Sequence, residues 1–495
     1  SRELLVIAGQ VKSQDLATGG VRQRGIQEID GVGLAKPVAK YAVQLQAPIS
    51  KQEFFNLVNV SSSDRPGPVF IELCLDTQGA PPLVAENIVT RKIENVHAAT
   101  NDLEQVVQKL HASQRPVLLI GGGVSRKTAQ SIQQSMSDSG IPVMTTWNGA
   151  DRIDASHPQY LGRPNTWGQR AANLLMAQAD VIVAVGTRLG MQQTGFNWQE
   201  FGRNAFVVQV DIDKSELEKG HPKVDLPICG DADSFLEDLL PKIHGQWDEW
   251  ITYAHDVQEA LPLNDPENET GAGFVSPYDF YADLSELATQ NDVIIPCSSG
   301  GANSVSMQVI KQKFGQVIIT DKCLASMGYG LGGAIGAAMA HPGRRTFLIE
   351  GDGGFAQNLQ ELATVAVNRL PIKIFIFANN GYGSIRMTQK NYFGGAYLGC
   401  DTETGLGFPD WHLLFESFGI PATTVDANWA SDSNVIATLE SAEPHGYIIP
   451  IDPLQTYWPK IMSRIVEGGG MESNPLHKMS PDLPPNTFTK VTKYL

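Results

Sequence analysis

A chain of 495 residues is long enough for about three domains of ordinary size, which excludes a small scaffold dependent on disulfide or metal staples. Its composition, 42% hydrophobic and 18% charged with 48 Gly and 29 Pro, excludes chain-wide disorder. The balance of 37 basic against 53 acidic residues gives a net charge of −16; no basic cluster offsets it, so no nucleic-acid partner is expected.

The chain opens Ser1-Arg2-Glu3 and passes at once into Leu4-Leu5-Val6-Ile7-Ala8, an apolar run of the kind found in buried parallel strands. Such a strand needs neighbours on both sides, so the sequence leads us to expect a segment upstream of Ser1. Residues 69–73, just after Arg65-Pro66-Gly67-Pro68, read as the last strand of a first unit, and 77–95 as a linker. A second unit opens with the strand 115–120 and Gly121-Gly122-Gly123, then continues through strands at 142–145, 180–185 and 206–210. The polar, turn-forming stretch 264–271 marks the next boundary. A third unit follows, with strands near 293–296, 317–320, 346–349 and 372–377, and the tail from Glu467, rich in Gly, Pro and Ser, reads as a solvated, extended arm. This alternation predicts an α/β protein of doubly wound parallel sheets, with domains at 1–86, 87–265 and 266–466 and an arm at 467–495. Five scattered cysteines without a CxxC pair predict reduced thiols and a cytoplasmic location. With no apolar run near 20 residues and no signal peptide, no membrane partner is expected.

The sharpest chemical signal is Gly351-Asp352-Gly353-Gly354 after one apolar strand, followed by a helix and a second apolar strand ending in Asn379-Asn380-Gly381. A right-handed crossover sets the two strands side by side, so Asp352 and Asn379 should meet at one sheet edge. A hard cation such as Mg²⁺ takes oxygen ligands, and the Asp352 carboxylate, the Asn379 amide and the Gly381 carbonyl offer that set, the remainder coming from phosphates. Gly351, Gly353 and Gly354 let the backbone approach a diphosphate, and the amides opening the next helix favour its charge. Either motif alone reads equally well as a plain turn; the pair at this spacing carries the reading.

These residues, together with Ser384-Ile385 and the upstream run Ser326-Met327-Gly328-Tyr329-Gly330, resemble the cofactor motifs of thiamine-diphosphate-dependent enzymes. Through Leu5-Val6-Ile7-Ala8-Gly9, Gln27-Glu28-Ile29-Asp30, Arg65-Pro66-Gly67-Pro68 and Asp211-Ile212-Asp213 the likeness extends to the acetolactate synthase group, over nearly the whole chain. The resemblance implies pyrimidine-binding, central and diphosphate-binding domains, the first incomplete, with thiamine diphosphate and Mg²⁺ as cofactors. It makes Asp352, Asn379 and Gly381 the metal ligands. Gly353, Gly354, Ser384, Ile385 and the loop Gly300-Gly301-Ala302-Asn303 line the diphosphate, and Met327 wedges the cofactor into a bent form. Gln27 matches a glutamine that faces the active site of a partner subunit, so a homo-oligomer is expected. The family's activating glutamate falls upstream of Ser1, and no present residue, Glu28 included, takes its place. Ile26 stands where acetolactate synthases typically carry Phe, and Leu75 where they carry Lys.

The implied reaction is decarboxylation of a pyruvate-like 2-oxo acid, with joining of the two-carbon unit to a second carbonyl. Transfer of that unit to a keto-sugar, a nicotinamide or flavin oxidoreductase, and a non-catalytic relative are the alternatives. The glycines at 121–123 and Gly186-Thr187-Arg188 suit a dinucleotide crevice where the family often holds FAD, while many relatives keep this domain without flavin. Among the histidines, His477 in the tail reaches the active site only if the tail folds over it.

Overall fold

The computed structural model describes residues 2–81, 83, 97–297 and 299–495. Most of the expected linker, 84–95, and the boundary at 86/87 therefore lie outside the described residues; the linker's first positions belong to a short helix, Leu75–Gly79. Two compact units emerge, one in Ser1–Val96 with Ile212–Lys214 and the other in His97–Asp211 with Ser215–Leu495.

The first unit carries three parallel strands, β1 (Leu4–Gln10), β2 (Tyr41–Leu45) and β3 (Pro68–Cys74), in the order β1-β3-β2. Helix α1 (Lys51–Asn59) starts at Ser50, whose hydroxyl and backbone exchange bonds with Glu53, satisfying amides that the first turn would leave orphaned. Central β3 is buried by both neighbours. Edge strand β1 pairs only with β3, so the expected second neighbour is absent among the described residues, and its Leu4, Leu5, Val6 and Ile7 are 37–54% exposed.

The second unit holds two all-parallel sheets. One is built from β4 (Pro116–Ile120), β5 (Val143–Thr145), β6 (Val181–Val185), β7 (Phe206–Asp211) and β8 (Leu226–Cys229) in the order β5-β4-β6-β7-β8. Runs such as Val181-Ile182-Val183-Ala184-Val185 are buried at every position, because helices cover both faces of a parallel sheet. The segment 264–271 lies between helices α2 (Asp248–Ala260) and α3 (Pro277–Leu287).

After α3 come β9 (Val293–Ile295), α4 (Gly300–Val309), β10 (Val317–Ile318) and α5 (Tyr329–Ala340). They are followed by β11 (Thr346–Gly351), the single turn α6 (Asp352–Phe355), β12 (Ile372–Ala378), α7 (Gly383–Tyr392), β13 (Ala422–Thr424) and β14 (His445–Pro450). The sheet order is β10-β9-β11-β12-β14-β13. Chain direction across it reverses between β9 and β11, and ligands of open α/β sheets bind at the carboxyl ends of strands flanking such a reversal.

The tail departs from a solvated arm. After an antiparallel hairpin, β15 (Ser463–Ile465) and β16 (Met471–Ser473), it lays Leu476, Met479 and the helix α8 (Pro485–Val491) against the β4–β8 layer. Leu476, Met479 and Val491 are buried there, Gln178 donates to Val491 O at 3.0 Å, and Tyr494 packs edge-on against Tyr253. These anchors stand singly among prolines and polar residues, so no periodicity announced them. All five cysteines are free, and among the described residues no helix is long and apolar enough to cross a membrane.

Candidate cofactor and metal site

Pairing of β11 with β12 runs in register from Thr346↔Ile372 to Gly351↔Phe377, which delivers Asp352 and Asn379 just past the ends of adjacent strands. The two expected metal side chains therefore meet. Asp352 is 1% exposed; one carboxylate oxygen accepts from Gly353 N at 2.7 Å, the other from Asn379 N at 2.9 Å and Gly381 N at 3.3 Å. Burial pushes its carboxyl up to about 6 against the pull of these amides. Beside it, the buried Asn379 Oδ1 has no hydrogen-bond partner. A buried carbonyl oxygen left unpaired costs about 1–3 kcal/mol, so this atom is aimed at something a cation would satisfy. Together with the Gly381 carbonyl, the donor set is all oxygen with one carboxylate, which fits Mg²⁺. Among the described residues no group of three His, Cys, Asp or Glu competes for a metal.

The anion cradle is built by two helix starts. A Cβ on Gly300 would lie 4.0 Å from Ser384 Oγ, so α4 and α7 bring their first turns together. A Cβ on Gly351 would meet only open space, whereas one on Gly353 would strike the Tyr382 ring at 2.3 Å and one on Gly354 the Glu350 carboxylate at 2.7 Å. Ser384 and Ile385 are exposed at the head of α7. Ala302 O accepts from Tyr281 Oη at 2.5 Å. Asn303 is fully buried: its Nδ2 donates to Pro296 O, Cys297 O and Thr320 Oγ1, which ties it to the β9 loop, and its Oδ1 has no hydrogen-bond partner. Non-glycine residues in the left-handed region occur at Cys297, Ala325 and Asn380, in the loops after β9, β10 and β12. Strain gathered at one edge is the usual mark of a binding site. Met327 sits between Ala325 and Gly328 (φ +84°), ahead of α5, with Gln357 Nε2 3.7 Å from its sulfur.

Three further residues define the site without having signalled themselves. Glu350, 2% exposed, lies between α5 and α6: a Cβ on Gly330 would fall 2.2 Å from its carboxylate, and burial pushes the group up to about 7. Tyr382 walls Gly353, and Tyr457, on the loop after β14, covers Gly301. Only the clustered glycines opposite them hinted at bulky neighbours.

Other expected positions lie elsewhere. Gln27 belongs to the first unit, exposed and with φ +63°. Glu28 is tied to the amides of Ala17, Arg24 and Gly25, which lower its carboxyl; its role is to close a loop. The central turns are tied to one another. Gly121 N donates to Val185 O and Gly123 N to Gly186 O, both at 2.8 Å, and a Cβ on Gly121 would lie 2.2 Å from Gly186 O. Those glycines let two turns touch, and their amides are spent. His477 is half-buried beside Arg170, Met479 and Phe488 in a cavity of about 400 Å³, which none of the metal or cradle residues lines.

Residues 103–239 match the family model described as thiamine pyrophosphate enzyme, central domain, and 299–449 match the C-terminal TPP binding domain of the same enzymes. Curated relatives include a probable acetolactate synthase large subunit of Methanocaldococcus jannaschii, 29% identical over 92% of this chain and 78% of its own. The acetolactate synthase isozyme 2 large subunit of Escherichia coli is 29% identical over 96% of this chain and 83% of its own. The acetolactate synthase large subunit of Lactococcus lactis is also 29% identical, covering 86% and 72%.

Proposed function

The chain belongs to the thiamine pyrophosphate enzymes, in their acetolactate synthase-like group, and from that premise we propose that it decarboxylates a pyruvate-like 2-oxo acid and joins the two-carbon unit to a second carbonyl. The observation that carries the site assignment is the unpartnered, buried Asn379 Oδ1 beside Asp352, at the edge where α4 and α7 begin. Bound thiamine diphosphate supplies the carbon nucleophile and the electron sink for cleaving the 2-oxo acid.

The protein's part is placement. Asp352, Asn379 Oδ1 and the Gly381 carbonyl would hold Mg²⁺, whose charge would offset that of the diphosphate. Backbone at Gly301, Ala302, Gly353 and Gly354 and the head of α7 at Ser384-Ile385 line that anion. Met327 props the heterocycle from the loop before α5, where the left-handed Ala325 and Gly328 fix its height. By restricting a bound cofactor to one shape, Met327 would contribute positioning, which lowers a barrier by holding reacting groups together. Gln27 acts, on this reading, at the site of a neighbouring subunit in a homo-oligomer. The acceptor is a small carbonyl compound, its identity set in part by Ile26 and Leu75.

Purified full-length protein given pyruvate, thiamine diphosphate and Mg²⁺ is expected to release carbon dioxide and form an acetolactate-type product, with activity lost on chelation of the metal. Cofactor binding without carbon dioxide release from any short 2-oxo acid would overturn the assignment.

A further inference from the structure

Tyr457 lies outside every motif, more than 70 residues beyond the Asn379-Asn380-Gly381 turn. The loop after β14 nevertheless returns it to the cradle. A Cβ on Gly301 would fall 2.6 Å from its Cε1 and 2.8 Å from both Cζ and the hydroxyl oxygen, so the phenol stands against the first turn of α4. Its neighbours are committed: Tyr278 Oη donates to Trp458 O at 2.8 Å, and Tyr281 Oη donates to Ala302 O at 2.5 Å. The Tyr457 hydroxyl makes no hydrogen bond to any described residue. A tyrosine hydroxyl carries its proton at neutral pH, so the group is available as a donor.

A donor set among helix-start amides, which are donors themselves, needs an acceptor that serves both. An oxygen of a diphosphate does so with the charge that a helix start favours, which a neutral acceptor lacks and a cation opposes. We propose that Tyr457 is a further cofactor-binding residue, its hydroxyl donating to a diphosphate oxygen held at the start of α4. The inference rests on the reading of this edge as the thiamine diphosphate site.

Tyr457→Phe tests it, because the ring stays on Gly301 and only the hydroxyl is lost. At saturating Mg²⁺, calorimetry should give thiamine diphosphate affinity about tenfold weaker, the loss expected for a hydrogen bond to a charged group. Inorganic diphosphate, used as a competitor, should weaken by the same factor, while the melting temperature of the cofactor-free protein stays at the parent value. Affinity within twofold of the parent, or a loss matched by a fall in cofactor-free melting temperature, would overturn the proposal. Asp352→Asn measured in parallel separates the two levels. Loss of binding there with parent-like Tyr457→Phe sinks only the tyrosine's role; if neither variant loses affinity, the site itself is misplaced.

Discussion

Asp352 illustrates the conflict between stability and function at a single side chain. Its folded carboxyl titrates at about 6 against an ordinary value near 3.8, so between those values the folded state holds a proton that the unfolded state has released. Asp352's contribution to the stability of the cofactor-free protein should therefore fall as pH rises from about 4 to 6 and stay low above that. Asp352→Asn is expected to remove this slope and to stabilise the cofactor-free protein at pH 7 by up to about 3 kcal/mol, while abolishing Mg²⁺-dependent cofactor binding. Thermal unfolding of both proteins across pH 4–8, without added metal, checks the sign; a parent that is more stable than the variant at pH 7 contradicts it. That Asp352 and Asn379 would converge was legible in the sequence, since each follows a strongly apolar strand across one crossover. The covering role of Tyr457 was not, because its loop has no periodicity and its partner is a glycine more than 150 positions away.

At the scale of elements, α4 is held at both ends. Its start joins the cradle; its last turn is capped from the central layer by Arg163, 1% exposed, which donates to Met307 O at 2.8 Å, to Ile310 O and to Gln312 Oε1 at 2.5 Å. Carbonyls at a helix end have no partner of their own, and a guanidinium fork reaches several at once. Arg163→Ala should therefore cost roughly 2–5 kcal/mol in denaturant unfolding, with Arg163→Lys recovering only part; a loss below 0.5 kcal/mol would show that α4 is capped adequately without it. Sequence reading missed β2, β8, β13, β14 and the hairpin strands β15 and β16, and for two of these the physical reason is plain. β8 carries Pro227, which cannot donate to a ladder, and β13 is Ala422-Thr423-Thr424, too polar to resemble its buried neighbours; both lie at sheet edges, where such residues are tolerated. β3, β4, β6, β7, β9, β11 and β12, apolar almost throughout, were read close to their observed limits, whereas β14, internal to its sheet and just as buried, was not.

Across the whole molecule, burial is unevenly shared. Among the described residues, the first unit fully buries Leu45, Val69 and Ile71 in its core cluster, whereas the second unit's layers are continuous apolar cores around β4–β7 and β9–β14. Local opening follows buried apolar contact, so amides of β1–β3 should exchange with deuterium well before those of β6, β11 and β12. Equal protection in mass-spectrometric exchange would refute that ranking. Three α/β layers in series were legible from the alternation of elements, but the packing of the tail was not: Leu476, Met479 and Val491 complete the core of a layer whose strands end at Cys229. That closure has a bearing on biosynthesis. A ribosome that has finished β8 has still some 250 residues to add before Val491 exists, and at about 5–20 residues per second the nascent central layer waits for at least ten seconds with its side uncovered. Over that interval it offers the kind of apolar surface that chaperones bind, so demand on them is set by the last segment made and not by the layer's own strands.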